Sequence, residues 1–106
     1  MSAYKEINPA ELQALQTGPL QLVDVRNDDE VARGVISGSI HIQLNSLPMR
    51  WNELKDEIPI VFYCHSGVRS AHACAYMVEQ GFDQLYNLQG GILAWGKAGL
   101  PLIPKN

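Results

Sequence analysis

The segment IPIVFYCHSGVRSAHACAYMVEQG, residues 58–81, changes its character at Cys64. The apolar, β-branched and aromatic residues of 58–63 predict a buried strand, and the pattern of residues 69–80 before Gly81 predicts a helix. A short polar loop therefore joins a strand to a helix. In open α/β sheets such loops lie at the carboxyl ends of the strands, where ligands bind. Cys64 is predicted to lie at that edge.

The same alternation of strands and helices extends in both directions from this segment. Further strands are predicted at residues 20–25, 39–44 and 84–88, and helices at 8–16, 27–33, 46–54 and 92–99. Asn8, Pro9 and Glu11 form the N-cap, first-turn proline and capping-box pattern of a helix start. Strands that alternate with helices predict an α/β fold with a parallel sheet covered by helices on both faces.

Composition limits the classes of protein to which the chain could belong. Its 106 residues fit one domain, 1–106, with 46% hydrophobic and 18% charged residues and a formal net charge of -3. Lysine and arginine are scattered, which argues against nucleic-acid binding, and no apolar run is long enough for a membrane span. The segment MSAYKEINPAELQAL has no apolar signal core. We therefore expect a cytoplasmic protein, with a monomer as the default state.

The two cysteines, Cys64 and Cys74, are expected to be free thiols. A bridge requires close Cα atoms, and a helix that begins near Arg69 carries Cys74 away from Cys64. Cys74 is best interpreted as a small buried residue, with a role as a resolving thiol for Cys64 as the alternative. Three histidines and two cysteines do not match the spacing of a zinc site, so we expect no metal.

The loop CHSGVRS, residues 64–70, has the features that make a cysteine nucleophilic. The thiolate is the reactive form, and inward-pointing N–H groups at a helix start favour negative charge. Gly67 allows a positive φ or a close approach of a ligand. Arg69 adds a planar cation suited to an oxyanion, Ser70 can cap the helix or donate to an anion, and His65 can add charge at the rim. The loop is predicted to hold a negatively charged sulfur, or an anion attached to it.

Three segments together resemble the rhodanese family of sulfurtransferases. The pattern C-x-x-G-x-R-S is similar to the family's active-site loop. LVDVRNDDEVARGVISGSIHI (22–42) and NLQGGILAWGKAGLPL (87–102) are similar to two further motifs, in the family's order. The resemblance implies a rhodanese-like fold, with a central parallel five-stranded sheet and helices on both faces.

The resemblance also implies a chemistry. Cys64 would attack the outer sulfur of thiosulfate or a similar donor, become a persulfide, and pass the sulfur to cyanide, a thiol or a protein, without a cofactor. Arg69 would hold the sulfonate end of the donor. The N–H groups that would cradle the persulfide belong to His65, Ser66, Gly67, Val68, Arg69 and Ser70.

Other polar residues are interpreted as structural. Asp24 is expected to hold the loop after its strand, and Arg26 to pair with a carboxylate such as Glu30. Many family members have histidine and proline where this chain has Val35 and Ser37, and we expect that difference to affect local rigidity rather than activity. His41 is expected at the edge of the sheet and His72 on a partly exposed helix face, and Trp95 in the core.

Two other functions remain open at this point. Phosphatases and arsenate reductases of related architecture use C-x5-R loops, whereas only four residues separate Cys64 from Arg69 here. The shorter loop suits a single sulfur atom. A non-catalytic binding module with the same fold usually lacks the cysteine, which this chain retains. The physiological donor, acceptor, partner protein and pathway are not predicted.

Overall fold

The computed structural model describes residues 3–105, so residues 1, 2 and 106 of the predicted single domain lie outside the described part. Strands and helices alternate along it. The strands are β1 (Lys5–Ile7), β2 (Gln21–Asp24), β3 (Ser39–His41), β4 (Ile60–Tyr63) and β5 (Leu85–Leu88). The helices are α1 (Pro9–Leu15), α2 (Asp28–Val31), α3 (Leu47–Arg50), α4 (Val68–Glu79) and α5 (Gly91–Lys97).

The five strands form one sheet in the order β1-β5-β4-β2-β3, and every pairing is parallel. The prediction of a five-stranded parallel sheet is confirmed. The residue pattern alone indicated four strands and missed β1, which pairs with β5 at the edge of the sheet. The central strand is β4, so the loop that follows it lies over the middle of the carboxyl edge.

Side chains on β4 alternate between two hydrophobic cores, one on each face of the sheet. Ile60 and Phe62 pack with Leu47 and Met77, so α3 and α4 cover one face. Val61 and Tyr63 pack with the residues of α1 and α5, such as Leu12 and Trp95. Alternation of this kind follows from the two-residue period of a strand. Helices on both faces and a core position for Trp95 are therefore confirmed.

Helix α1 begins where its local sequence predicts. The N–H of Glu11 donates to Oδ1 of Asn8 at 2.8 Å, and the N–H of Asn8 donates to the Glu11 carboxylate at 2.9 Å. These two bonds form the expected capping box, which satisfies N–H groups that a helix start otherwise leaves unpaired. Pro9 occupies the first turn, where its missing N–H costs nothing.

The other helices, except α4, are shorter than their predicted spans. The helix expected at 46–54 is α3 alone, with 3-10 turns at Leu44–Ser46 and Trp51–Glu53 on either side. Helix α4 is the longest described helix, with 12 residues. No helix within residues 3–105 combines the length and the apolar character needed to cross a membrane.

The segment that departs from the family pattern is held by backbone contacts. Val35 forms an isolated antiparallel bridge with Ile103, with both N–H···O distances at 2.8 Å. The next residue, Ile36, donates its N–H to the hydroxyl of Tyr63 at 3.1 Å. The local order around Val35 and the exposed Ser37 therefore comes from these bonds. His41 ends the edge strand β3 and His72 is exposed on α4, in agreement with their predicted places.

Candidate active site

Cys64 follows the last residue of β4 directly, at the carboxyl end of the central strand. Its side chain is fully buried. The chain turns through His65 and Ser66, and Gly67 begins α4 as its N-cap with φ +102°. That positive φ is easy for glycine and strained for other residues. The thiol thus lies beneath a tight loop at the start of a 12-residue helix.

Two hydrogen-bond donors point at the sulfur of Cys64. The N–H of Gly67 lies 3.1 Å from Sγ, and the hydroxyl of Ser70 lies 3.4 Å from it. Burial raises the pKa of the Cys64 thiol, but hydrogen bonds from Ser70, Gly67 and Ser66 outweigh burial, so the pKa lies below its ordinary value. Because the thiolate is the nucleophilic form, Cys64 is suited to covalent chemistry.

The turn at Gly67 is held from below by β5. The carbonyl of Gly67 accepts a hydrogen bond from Nδ2 of Asn87 at 3.1 Å, and Asn87 is almost fully buried. The same amide nitrogen donates to the Glu6 carboxylate on β1. A Cβ at position 67 would lie only 3.1 Å from the backbone nitrogen of Gly90. Asn87 therefore ties the orientation of the Gly67 peptide to the sheet.

The start of α5 is hydrogen-bonded to the backbone of the cysteine loop. Ile92 donates its N–H to the carbonyl of Cys64 at 3.0 Å, and Leu93 donates to the carbonyl of His65 at 3.2 Å. These carbonyls satisfy N–H groups that the first turn of a helix leaves free. A Cβ on Gly91 would lie 2.4 Å from the Cys64 carbonyl oxygen and 2.5 Å from that of His65. Only glycine permits this close approach.

Arg69 forms a two-pronged ion pair with Glu30. Nη1 of Arg69 lies 2.6 Å from Oε1 of Glu30, and Nη2 lies 2.8 Å from Oε2. The hydrogen bonds from Arg69 lower the pKa of Glu30 to about 2, against a smaller opposing effect of burial. The Glu30 carboxylate therefore pairs with Arg69. Arg26 does pair with a carboxylate, as predicted, but Glu30, the example given for that carboxylate, is not the one.

Arg26 is instead paired with Asp24, and both side chains are buried. Nη2 of Arg26 lies 2.7 Å from Oδ2 of Asp24 and also donates to the carbonyl of Gly34 at 2.7 Å. The backbone N–H of Arg26 donates to Asp24 as well, at 3.0 Å. Arg26 pairs with Asp24 rather than Glu30 because Asp24, at the end of β2, is nearer to Arg26 in the chain. The interaction joins the chain on either side of α2.

The residues of the predicted cradle differ in exposure. Gly67 and Ser70 are buried and contact the sulfur, whereas Arg69 is partly exposed and bound to Glu30. The other three line the outer surface of the loop as exposed residues, namely His65, Ser66 and Val68.

Sequence reasoning missed two residues that shape the site, Asn87 and Gly91. A polar residue in the predicted strand 84–88 and the glycine pair before α5 were the available signals. Neither signal showed that these residues contact the cysteine loop.

Cys74 is buried on α4 and belongs to the packing of that helix. Burial, followed by the negative charge of Glu6, raises the pKa of the Cys74 thiol. Its sulfur lies 3.4 Å from the carbonyl of Tyr86, a contact with the sheet. Both cysteines are free, as expected, and Cys74 has the environment of an unreactive thiol. Within residues 3–105 no three histidine, cysteine or carboxylate side chains converge as they do around a metal ion.

Solved structures share this architecture over nearly the whole chain. A rhodanese-related protein from Thermoplasma volcanium is 29% identical, with a TM-score of 0.88, and the match covers 96% of this chain and all of the other. A protein from Rhodopseudomonas palustris, described as of unknown function and a possible tyrosine phosphatase, is 26% identical, with a TM-score of 0.84. That match covers 95% of this chain and 86% of the other.

Curated relatives point to the same group of proteins. A sulfurtransferase from Allochromatium vinosum is 40% identical over 82% of this chain and 81% of its own length. The thiosulfate sulfurtransferase GlpE of Stutzerimonas stutzeri is 36% identical over 90% of this chain and 87% of its own length. The family model for the rhodanese-like domain matches residues 8–98. With its five-stranded sheet, its cysteine loop and these matches, the chain belongs to the rhodanese-like family of sulfurtransferases.

Proposed function

We propose that this protein transfers sulfane sulfur from thiosulfate or a similar donor to a thiophilic acceptor through a persulfide on Cys64. The observation that supports this most directly is the environment of the sulfur. A buried thiol with a lowered pKa receives an N–H from Gly67 and an O–H from Ser70 at the carboxyl end of the central strand. Donors placed in this way stabilise an anion on sulfur without further rearrangement.

The reaction consists of two displacements at sulfur. In the first, the Cys64 thiolate attacks the outer sulfur of thiosulfate, the S–S bond of the donor breaks, and sulfite leaves with the bonding electron pair. In the second, cyanide or an acceptor thiolate attacks the terminal sulfur of the persulfide, and the Cys64 thiolate is released. No external oxidant is needed, and the covalent intermediate predicts ping-pong kinetics.

The loop is suited to both forms of Cys64. The N–H groups predicted to cradle the persulfide are those of His65, Ser66, Gly67, Val68, Arg69 and Ser70. A persulfide extends one atom further from Cβ than a thiolate, towards the centre of this loop. The donors that lower the pKa of the thiol also favour the persulfide anion, because both carry negative charge on sulfur.

We place the reaction in the cytoplasm, with the chain acting as a single-domain monomer. A reducing compartment keeps free thiols such as Cys64 and Cys74 reduced. The acceptor in this setting is a small thiol or a cysteine of another protein, with cyanide as a laboratory substitute.

A phosphatase or arsenate reductase is the second candidate, because one structural neighbour is described as a possible tyrosine phosphatase. Two features disfavour it. Only four residues separate Cys64 from Arg69, one fewer than in the wider oxyanion loops, and both terminal nitrogens of Arg69 are bound to Glu30. A non-catalytic binding module is disfavoured because Cys64 is present and its pKa is lowered.

The test is the intact mass of the protein before thiosulfate, after thiosulfate and after cyanide. We expect wild type to gain one sulfur that cyanide removes, and Cys64→Ser to gain none, because a serine hydroxyl cannot form a persulfide. Cys74→Ser is the matched control and should load sulfur like wild type. Sulfur transfer by Cys64→Ser at a tenth of the wild-type rate or more would refute the mechanism. Hydrolysis of a phosphate ester that depends on Cys64 would support the second candidate.

A further inference from the structure

Arg69 has a bound carboxylate in the place where the resemblance would put a donor's sulfonate. Arg69 is the only lysine or arginine among residues 64–70. We propose, on the basis of the sulfurtransferase function above, that Glu30 determines donor specificity by neutralising Arg69. The preferred donors of this site are then organic persulfides, R–S–SH, whose leaving group carries no sulfonate. Thiosulfate is a weaker donor of the same kind of sulfur.

The ion pair between Arg69 and Glu30 has the two-pronged geometry that is typical of strong arginine–carboxylate pairs. Each terminal nitrogen of Arg69 meets a separate oxygen of Glu30, at 2.6 and 2.8 Å. The side chains are 31% and 19% exposed, so solvent screens the pair only in part. Single exposed ion pairs contribute little, but two-pronged arginine–carboxylate pairs are the recognised exception. An incoming sulfonate has to compete with a carboxylate that is already in place.

Glu30 is itself held in position by the backbone of α2. Its Oε1 accepts the N–H of Asn27 at 3.1 Å, which is one half of a capping box. The carbonyl of Glu30 accepts from Arg26 at 3.4 Å, and Arg26 is bound to the buried Asp24. With a pKa of about 2, Glu30 is charged at neutral pH. The carboxylate is therefore a permanent part of the site.

The charges next to this pair also oppose a dianion. Asp28 and Asp29 precede Glu30 in the first turn of α2, and both are exposed. Thiosulfate carries two negative charges, whereas a small alkyl persulfide in its protonated form carries none. The N–H groups of Arg69 that do not bind Glu30 can donate hydrogen bonds, including to Cys64, but the positive charge behind them is balanced by Glu30. Electrostatics at this rim therefore favours a persulfide, which carries at most one negative charge, over the thiosulfate dianion.

The transfer from a persulfide balances without another reactant. The Cys64 thiolate attacks the terminal sulfur of R–S–SH, a new S–S bond forms, and the S–S bond of the donor breaks. The electron pair of that bond leaves on the thiolate R–S⁻, so the sulfane sulfur moves with its proton and no net oxidation occurs. The product is the persulfide of Cys64, the same intermediate as with thiosulfate.

The experiment compares two donors on wild type, Glu30→Gln and Asp29→Asn. The donors are thiosulfate and 2-hydroxyethyl persulfide, and the readout is the second-order rate of sulfur gain on Cys64 by quenched intact mass. Glutamine preserves the capping-box acceptor and the size of Glu30 but removes its charge. Asp29 is exposed and lies 3.9 Å from Arg33, so Asp29→Asn removes one charge from the same helix without freeing Arg69.

We expect Glu30→Gln to raise the thiosulfate rate, relative to the persulfide rate, by about tenfold, the size of one charge-assisted hydrogen bond. Asp29→Asn should change this ratio by less than about twofold, as a screened surface charge does. An unchanged or lower ratio in Glu30→Gln would overturn the proposal, as would an equal rise in Asp29→Asn. Sulfur gain from neither donor would refute the sulfurtransferase function together with this inference.

The salt dependence of the thiosulfate rate is a second test, applied to wild type and to Glu30→Gln. If Glu30 neutralises Arg69, the wild-type rate with thiosulfate should stay level or rise as ionic strength increases, because the remaining local charge is negative. In Glu30→Gln the freed guanidinium attracts the dianion, so the rate should fall with salt. A steep fall in wild type would show an unbalanced cation at the site and overturn the proposal.

Discussion

Replacement of Gly91 by alanine tests how the start of α5 supports the cysteine loop. The added Cβ would lie 2.4 Å from the carbonyl oxygen of Cys64, 2.5 Å from that of His65 and 2.6 Å from the carbonyl carbon of His65. All three atoms belong to the backbone, so no flexible side chain can move aside. The helix and the loop have to separate by about 1 Å or more to reach an ordinary contact distance.

The expected loss of stability can be worked out from these contacts. Separation breaks the two hydrogen bonds from Ile92 and Leu93, now 3.0 and 3.2 Å long, at about 1 kcal/mol each. A side chain at φ +55° adds about 1 kcal/mol of backbone strain. Gly91→Ala should therefore lose about 3 kcal/mol, or roughly 15 °C in Tm for a domain of this size. Sulfur loading of Cys64 should slow as well, because the loop carbonyls move.

Two other glycines provide matched controls. Gly99 has φ +79° and open space around it, so Gly99→Ala should show the strain alone, about 1 kcal/mol. Gly96 lies inside α5, also with open space, and Gly96→Ala should stabilise the helix by up to about 1 kcal/mol. The free energies of unfolding of the three variants in guanidinium separate the cost of backbone strain from the cost of the steric clash. A loss for Gly91→Ala within about 0.5 kcal/mol of that for Gly99→Ala would refute this account of the contact.

Two more substitutions concern the environment of the sulfur. Ser70→Ala removes a hydrogen-bond donor that lowers the pKa of Cys64. The rate of sulfur gain in this variant should therefore rise at a higher pH than in wild type. We expect the rate to be about tenfold lower than wild type at pH 7 and equal to it at high pH. A pH profile that coincides with wild type would contradict that role. Asn87→Ala removes the hydrogen bond to the Gly67 carbonyl and should cost about 1–3 kcal/mol in denaturant unfolding. The exposed Asn52→Ala is its control, and equal stability of the two variants would exclude Asn87 as a support of the loop.

Local signals in the sequence were sufficient for much of the fold. The capping box of α1 involves residues three positions apart, so the pattern at Asn8 and Glu11 was enough to predict its start. The short strand β1 has no such signal, because only Ile7 of its three residues is buried. It is a strand because it pairs with β5, more than 75 residues later in the chain. Contacts of this kind depend on the whole fold.

The candidate site likewise has features that the local sequence predicts and features that depend on the whole fold. The cysteine, glycine and arginine of the loop lie within six residues, and their arrangement around a helix start is a local property. The partner of Arg69 is not a local property of the sequence. Three consecutive acidic residues of α2, about 40 positions away in the chain, are all candidates for it. Glu30 is chosen because its Oε1 is directed by the N–H of Asn27. Sequence spacing alone gave no way to rank Asp28, Asp29 and Glu30.

The contact between α5 and the cysteine loop restricts how this chain can evolve. One inserted residue between Cys64 and Arg69 would give the wider loop of the oxyanion enzymes, but it would also displace the carbonyls that Ile92 and Leu93 bind. The turn before α5 would have to change at the same time, in a distant segment of the chain. Domains are stable by only about 5–15 kcal/mol, so we expect either change alone to destabilise the fold. Under the proposed function, we expect single substitutions at the rim to alter the choice of sulfur donor, whereas a change to phosphate chemistry would require two coordinated events.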